Sequence, residues 1–322
     1  MKRTILIIAI IICGKLFSYP INPASLKNLI ETSDLIVYGA VSDPKEWNKV
    51  LDKYYSEKHG DTLEKVIPGW SSDGIVEITP LKIYKGGDGY SLISVKNLLG
   101  LSCPTPAFYK DKGYAIAFLR RTDDSLWITN RLRYGSKNME TTEEFFFYDS
   151  LIVSYLEILR ISAGKERKKA IQEWLVKCCE SEYTIWDGAI EFNTKGPYTA
   201  YYREYQKTKF DRRLSKQQIQ RLEQSFFESD SISRGIMLLA NTLLKYSNKD
   251  RIRQKLIQGF DYTDSYDLKD LALFISEISK SSELNVIAEK IEKSYYGMNG
   301  SRLEEYLDEF IKVARKTYPN KT

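Results

Sequence analysis

Histidine is nearly absent: His59 is the single one in 322 residues. One chain with one histidine cannot build a multi-histidine metal site, and any histidine-based triad would have to use His59. That residue sits in the polar run Ser56-Glu57-Lys58-His59-Gly60-Asp61 and reads as a solvated loop residue. Cysteine is scarce as well, with four in all. Once Cys13 leaves with a leader, Cys103, Cys178 and Cys179 remain, an odd number in a large chain and no disulfide framework. Cys178 and Cys179 are adjacent on a predicted helix, poorly placed to bond each other or to face one ion. A bridge from Cys103 to either of them, and three idle thiols, both stay open. There is no Gly-x-Ser-x-Gly, no Walker-type loop and no EF-hand loop. No apolar run reaches the roughly 20 residues of a membrane span. No catalytic, cofactor or metal residue is assigned on these grounds, and the expectation is a protein without a cofactor.

The first residues supply an address. Met1-Lys2-Arg3 is basic, Ile5 to Ile12 is aliphatic except for Ala9, and Cys13-Gly14-Lys15 ends the run. This is the pattern of a secretory signal over residues 1–18, cleaved near Ser18. A lipoprotein acylated at Cys13 is the alternative, against which the bulk of Ile12 counts. The leader carries three basic residues and no acid, so the formal charge of +5 becomes +2 without it. That balance gives no basic face for nucleic acid. The expected location is secreted or periplasmic, with no transmembrane span in the mature chain.

The part that remains changes period once. Ser33-Asp34-Leu35-Ile36-Val37-Tyr38-Gly39-Ala40-Val41 reads as a strand apolar on both faces, covered on both sides as in a closed barrel. A short helix over 24–32 precedes it, with Leu26, Leu29 and Ile30 on one face. Residues 43–73 form a long excursion with an inserted helix at 46–55. Further strands are predicted from Gly74 to Gly86 with a slip at Pro80, at Leu92–Val95, at Gly113–Leu119 and at Leu126–Gly135. In the second, Ile75, Leu81 and Ile83 alternate with Glu77, Thr79 and Lys82. Five strands in about 100 residues fit a small barrel of the OB type.

Some of these segments also carry a family likeness. Ser33 to Val41, then Val76-Glu77-Ile78 with Leu81-Lys82-Ile83-Tyr84-Lys85-Gly86, then Cys103-Pro104, then Lys112 to Leu119, follow in order. Over residues 33–119 they resemble the OB-like barrels of the netrin-module and tissue-metalloproteinase-inhibitor group, as found in uncharacterised secreted bacterial proteins. The resemblance implies an OB-like fold. It implies protease inhibition only weakly, because such inhibitors present a disulfide-tied cysteine at the mature N-terminus and none stands there in this chain.

After a polar junction at Ser136–Glu144, apolar residues recur at helical spacing. Helices are predicted from Leu151, at Lys165–Glu180, Tyr183–Phe192, from Ser215, at Ser231–Tyr246, Asp250–Gln258, Leu268–Ser279, Glu283–Tyr296 and from Ser301. Ser215-Lys216-Gln217-Gln218 and Ser301-Arg302-Leu303-Glu304 are capping boxes. Helix pairs repeat at the size of an α-solenoid unit. The expected fold is therefore α+β: residues 19–144 an OB-like β-barrel, residues 145–322 an all-α helical array.

The functional expectation is an exported, non-catalytic binding or scaffolding protein of the cell envelope, with an unknown protein or glycan as partner. Trp47, Tyr55 and Trp70 in the excursion, with Tyr198, Tyr201 and Tyr202 in the helical half, are candidate contacts. A netrin-type inhibitor is one alternative. A carboxylate-dependent glycoside hydrolase is another, with Asp73 and Glu77 as the available kind of pair.

Overall fold

The computed structural model describes residues 24–42, 74–97, 106–110, 112–122, 126–193, 210, 213–263, 265–296 and 302–319. Residues up to Leu156 and residues from Glu157 form two compact units.

The first unit opens with α1 (Leu26–Thr32), whose buried residues are Leu26, Leu29 and Ile30, as the spacing predicts. The Ser25 hydroxyl accepts from Asn28 N–H at 3.1 Å and satisfies one of the unpaired donors of the first turn. There follow β1 (Leu35–Ser42), β2 (Gly74–Lys85), β3 (Ile93–Asn97), β4 (Tyr114–Arg121), β5 (Trp127–Thr129) and β6 (Ser136–Met139). The order is β1-β2-β3-β5-β4, and β4 pairs back onto β1, so five strands close into a barrel. Only the β3–β5 pairing is parallel. This architecture is compatible with an OB-like barrel.

Leu35, Val37 and Val41 point into the barrel with Ala115, Ala117 and Leu119 of β4. Both faces of β1 are covered, as its composition predicts, but the barrel accounts for only one of them. On the other face Ile36 and Phe118 are fully buried, and Tyr38 stacks on Phe145 of α2 (Thr142–Arg160). Gly39 is required by close approach: a Cβ there would lie 2.4 Å from the Thr79 carbonyl oxygen.

The slip predicted at Pro80 is present as a bulge. Tyr38 pairs with Lys82 and Gly39 with Pro80, leaving Leu81 without a partner residue on β1. A second irregularity skips Tyr84. The bulge corrects the predicted facing of β2. Val76 and Ile78 point inward before it and Ile83 packs on the core after it, so the inward parity switches from even to odd. Ile75 and Leu81, expected to share the apolar face, are exposed.

The predicted last strand, Leu126–Gly135, is also corrected. Only Trp127–Thr129 pairs; Arg131 and Leu132 then adopt φ of 58° and 51°, and Leu132–Gly135 is a 3-10 turn. The cause is the amide of Asn130. Its Nδ2 donates to Thr32 Oγ1 at 2.8 Å and Ser33 Oγ at 2.9 Å, and its backbone N–H donates to Phe118 O at 2.7 Å. The polar stretch Ser136–Glu144, predicted as a junction, is instead β6, paired with β4, followed by the first turn of α2. Two residues of the segment 106–110 enter the barrel: Ala107 and Tyr109 belong to its core, and the Tyr109 hydroxyl shares a 2.8 Å hydrogen bond with Thr129. Asn138 of β6 holds this segment with its side chain, accepting from Lys110 N–H at 2.9 Å and donating to Phe108 O at 3.1 Å.

The second unit is helical. It contains α3 (Lys165–Cys178), α4 (Ile185–Phe192), α5 (Lys216–Glu228), α6 (Arg234–Leu243), α7 (Lys249–Gln258), α8 (Ser265–Ile278), α9 (Ser282–Tyr296) and α10 (Leu303–Thr317). α4, α6, α8 and α10 pack in succession, and α3, α5 and α9 pack beside them, a solenoid-like arrangement. The capping box at Ser215 is formed, with the Ser215 hydroxyl and the Gln218 side chain each meeting the other's backbone N–H. The second predicted box begins at Ser301, outside the described residues; α10 has Arg302 at its N-cap. Buried Asn193, at the end of α4, donates from Nδ2 to Ala189 O at 2.6 Å, Leu238 O at 2.8 Å and Thr242 Oγ1 at 3.1 Å.

Candidate functional site

The outer face of the barrel unit, where β4, β1 and β2 lie against the first turns of α2, gathers rings and charges that the hydrophobic core does not use. Tyr38 stands at its centre. Its ring centroid lies 6.0 Å from that of Tyr114 and 4.2 Å from that of Phe145, both tilted by 31°. Phe145 continues to Phe146 at 5.4 Å. The four rings form a ladder whose ends stay open to solvent: Tyr114 is 48% exposed and Phe146 66%. Strand register places the first two, since Tyr38 pairs with Ile116 two residues from Tyr114. The start of α2 at Thr142 places the other two.

Beside the ladder sits an ionic clasp. The Tyr84 hydroxyl donates to Asp149 Oδ1 at 2.7 Å, and Lys82 Nζ donates to the same oxygen. Lys82 Nζ also lies 4.9 Å from the centre of the Tyr84 ring. Burial, then the bond to Asp149, pushes the Tyr84 phenol well above its ordinary range, so it is a neutral donor at any physiological pH. Burial, then the neighbouring Tyr114, raises Tyr38. Lys82 and Tyr84 share one side of β2 because they are two residues apart beyond the bulge; Asp149 meets them from the second turn of α2. Such an arrangement can stack on an apolar or sugar face and offer hydroxyl groups to it. It holds no nucleophile paired with a base.

The contacts expected from the sequence fall elsewhere. Trp47, Tyr55, Trp70, Tyr198, Tyr201 and Tyr202 lie outside the described residues, as do Cys13, His59, Asp73, Cys103 and the predicted helix at 46–55. Glu77 is exposed on the outer side of β2. Cys178 and Cys179 are free and buried. Among the described residues no three or more His, Cys, Asp or Glu side chains are grouped to hold a metal ion, and no helix is long and apolar enough to cross a membrane.

The ladder was not legible as a site. Phe145 and Phe146 stand at the start of the predicted helical array, and Tyr38 and Tyr114 in predicted strands. The one available signal was Tyr38 and Tyr84, aromatic residues on strand positions opposite in facing to the core. The sequence could not pair Asp149 with Lys82, 67 positions earlier. No family model matches the chain, and neither a curated protein nor a solved structure matches it.

Proposed function

We propose that the chain is an exported, non-catalytic binding or scaffolding protein of the cell envelope, meeting its ligand on the aromatic face of the barrel. The observation that carries this reading is the ladder with its exposed ends, Tyr114 and Phe146. Burying a large apolar side chain is worth roughly 1.5–3 kcal/mol, and these two rings, 48% and 66% exposed, forgo a large share of that gain in the free chain. The leader at residues 1–18 accounts for export, with acylation of Cys13 as the alternative form. The ligand is an envelope protein segment or glycan; no nucleic acid and no cofactor enter. The netrin-type inhibitor reading has less behind it, resting on the loose likeness over residues 33–119 without the N-terminal cysteine.

The test is selection of ligands for the full chain from an oligosaccharide array and a random-peptide display library. The expected result is one coherent ligand class, bound about tenfold or more weakly by a Tyr114→Ala, Phe146→Ala double variant. Equal binding by that variant would remove the ladder from the account. Chemical conversion of a selected oligosaccharide would return a hydrolase to first place.

A further inference from the structure

We infer that the neighbouring cysteines Cys178 and Cys179 make folding of the helical unit conditional on both thiols being reduced. Cys178 is the last residue of α3 and Cys179 its C-cap. Both are free, and neither side chain reaches solvent. α4 closes directly over them. A Cβ added at Gly188 would lie 2.6 Å from Cys179 Sγ and 3.0 Å from Cys178 Cβ. The space between the Cys179 sulfur and α4 thus lacks room for a single added carbon. The Thr184 hydroxyl donates to Cys178 O at 2.8 Å and ties the end of α3 to the entry of α4. An atom bonded to the Cys179 sulfur on its α4 side has to separate those two helices.

The folded pair is also unreactive. Burial, the adjacent thiol and the charges of Asp187 and Glu191 push Cys178 up; burial, Glu180 and Asp187 push Cys179 up. Both sulfurs stay protonated, and the thiol is a poor nucleophile. Opening of the α3–α4 hairpin returns them to water and to an ordinary pKa of about 8.5. A thiolate then attacks a disulfide oxidant such as oxidised glutathione. A sulfur–sulfur bond forms to the cysteine, the glutathione sulfur–sulfur bond breaks, and one glutathione leaves as thiolate. The mixed disulfide cannot be repacked under Gly188. Resolution by the neighbouring thiol would expel the second glutathione but needs a bridge between adjacent residues, which the usual Cα separation disfavours. Reduced chain refolds; oxidised chain is held open.

The experiment uses the full chain incubated with oxidised glutathione, without urea and at a urea concentration just below the unfolding midpoint. Peptide mass spectrometry reads residues 178 and 179 separately from Cys103. After dilution of the urea, circular dichroism follows the helical signal before and after dithiothreitol. The expected result is no modification of either residue without urea, modification in urea, and helical signal regained only after reduction. A Cys178→Ala, Cys179→Ala double variant should regain it without reduction. Modification without urea at full helicity, or a modified chain that refolds unreduced, overturns the inference. So does a double variant that still needs dithiothreitol. If that variant fails to fold, the reduction step on the unaltered chain decides alone.

Discussion

Tyr84 binds Asp149 with a neutral phenol, and that choice has a pH signature. Tyr38, Tyr84 and Tyr109 are all raised above 10.0 in the folded barrel, chiefly by burial. The unfolded chain sheds these protons as pH passes about 10, whereas the folded barrel keeps them. Their contribution is therefore complete below that pH and is lost as pH rises through it. Lys85 works the other way: burial lowers it, so the folded state releases its proton first and gains with rising pH. Urea midpoints measured from pH 8 upward should fall beyond about pH 10, and Tyr84→Phe should flatten that fall. At neutral pH the same variant should lose about 1 kcal/mol, the usual worth of one hydrogen bond. A midpoint that does not change in Tyr84→Phe would show the clasp to be idle.

At the scale of elements, the bulge in β2 and the Asn193 hub carry the sharper predictions. Leu81 is 60% exposed, so Leu81→Ala should change stability by less than about 0.5 kcal/mol. Deleting Leu81 is different in kind. It removes the extra residue, so regular alternation from Ile78 through Pro80 keeps Ile83 inward and Lys82 and Tyr84 outward. That variant should keep the dispersed amide spectrum of a folded barrel, and loss of that spectrum would refute the parity account. Asn193→Ala leaves Leu238 O without its amide donor and removes the Oδ1 acceptor that Asn241 Nδ2 uses at 2.7 Å. Thermal unfolding of the helical unit should report a loss of about 2–3 kcal/mol. Elements with a strong local signal were legible: α1 from Leu26, Leu29 and Ile30, α5 from its capping box, and the break at Pro80. The facing of β2 was not, because one skipped residue reverses it and periodicity cannot say which residue is skipped. The division of β5 from β6 was hidden as well. It depends on Asn130 reaching Thr32 and Ser33, nearly 100 positions earlier.

At the scale of the molecule, the succession from barrel to helical array was legible in the change of period. The division between compact units, after Leu156, lies inside one helix, where a periodicity argument finds no break. Export is the expectation to test at this scale: N-terminal sequencing of the native protein should begin near Ser18, and an intact Met1 would defeat it. The closed ring has one more consequence. Among the described residues, Ala107 and Tyr109 occupy the inside of the barrel, and the Tyr109 hydroxyl is bonded to Thr129. A guest seated there would have to displace the Tyr109 ring, whereas the aromatic ladder stands on the barrel's outer side.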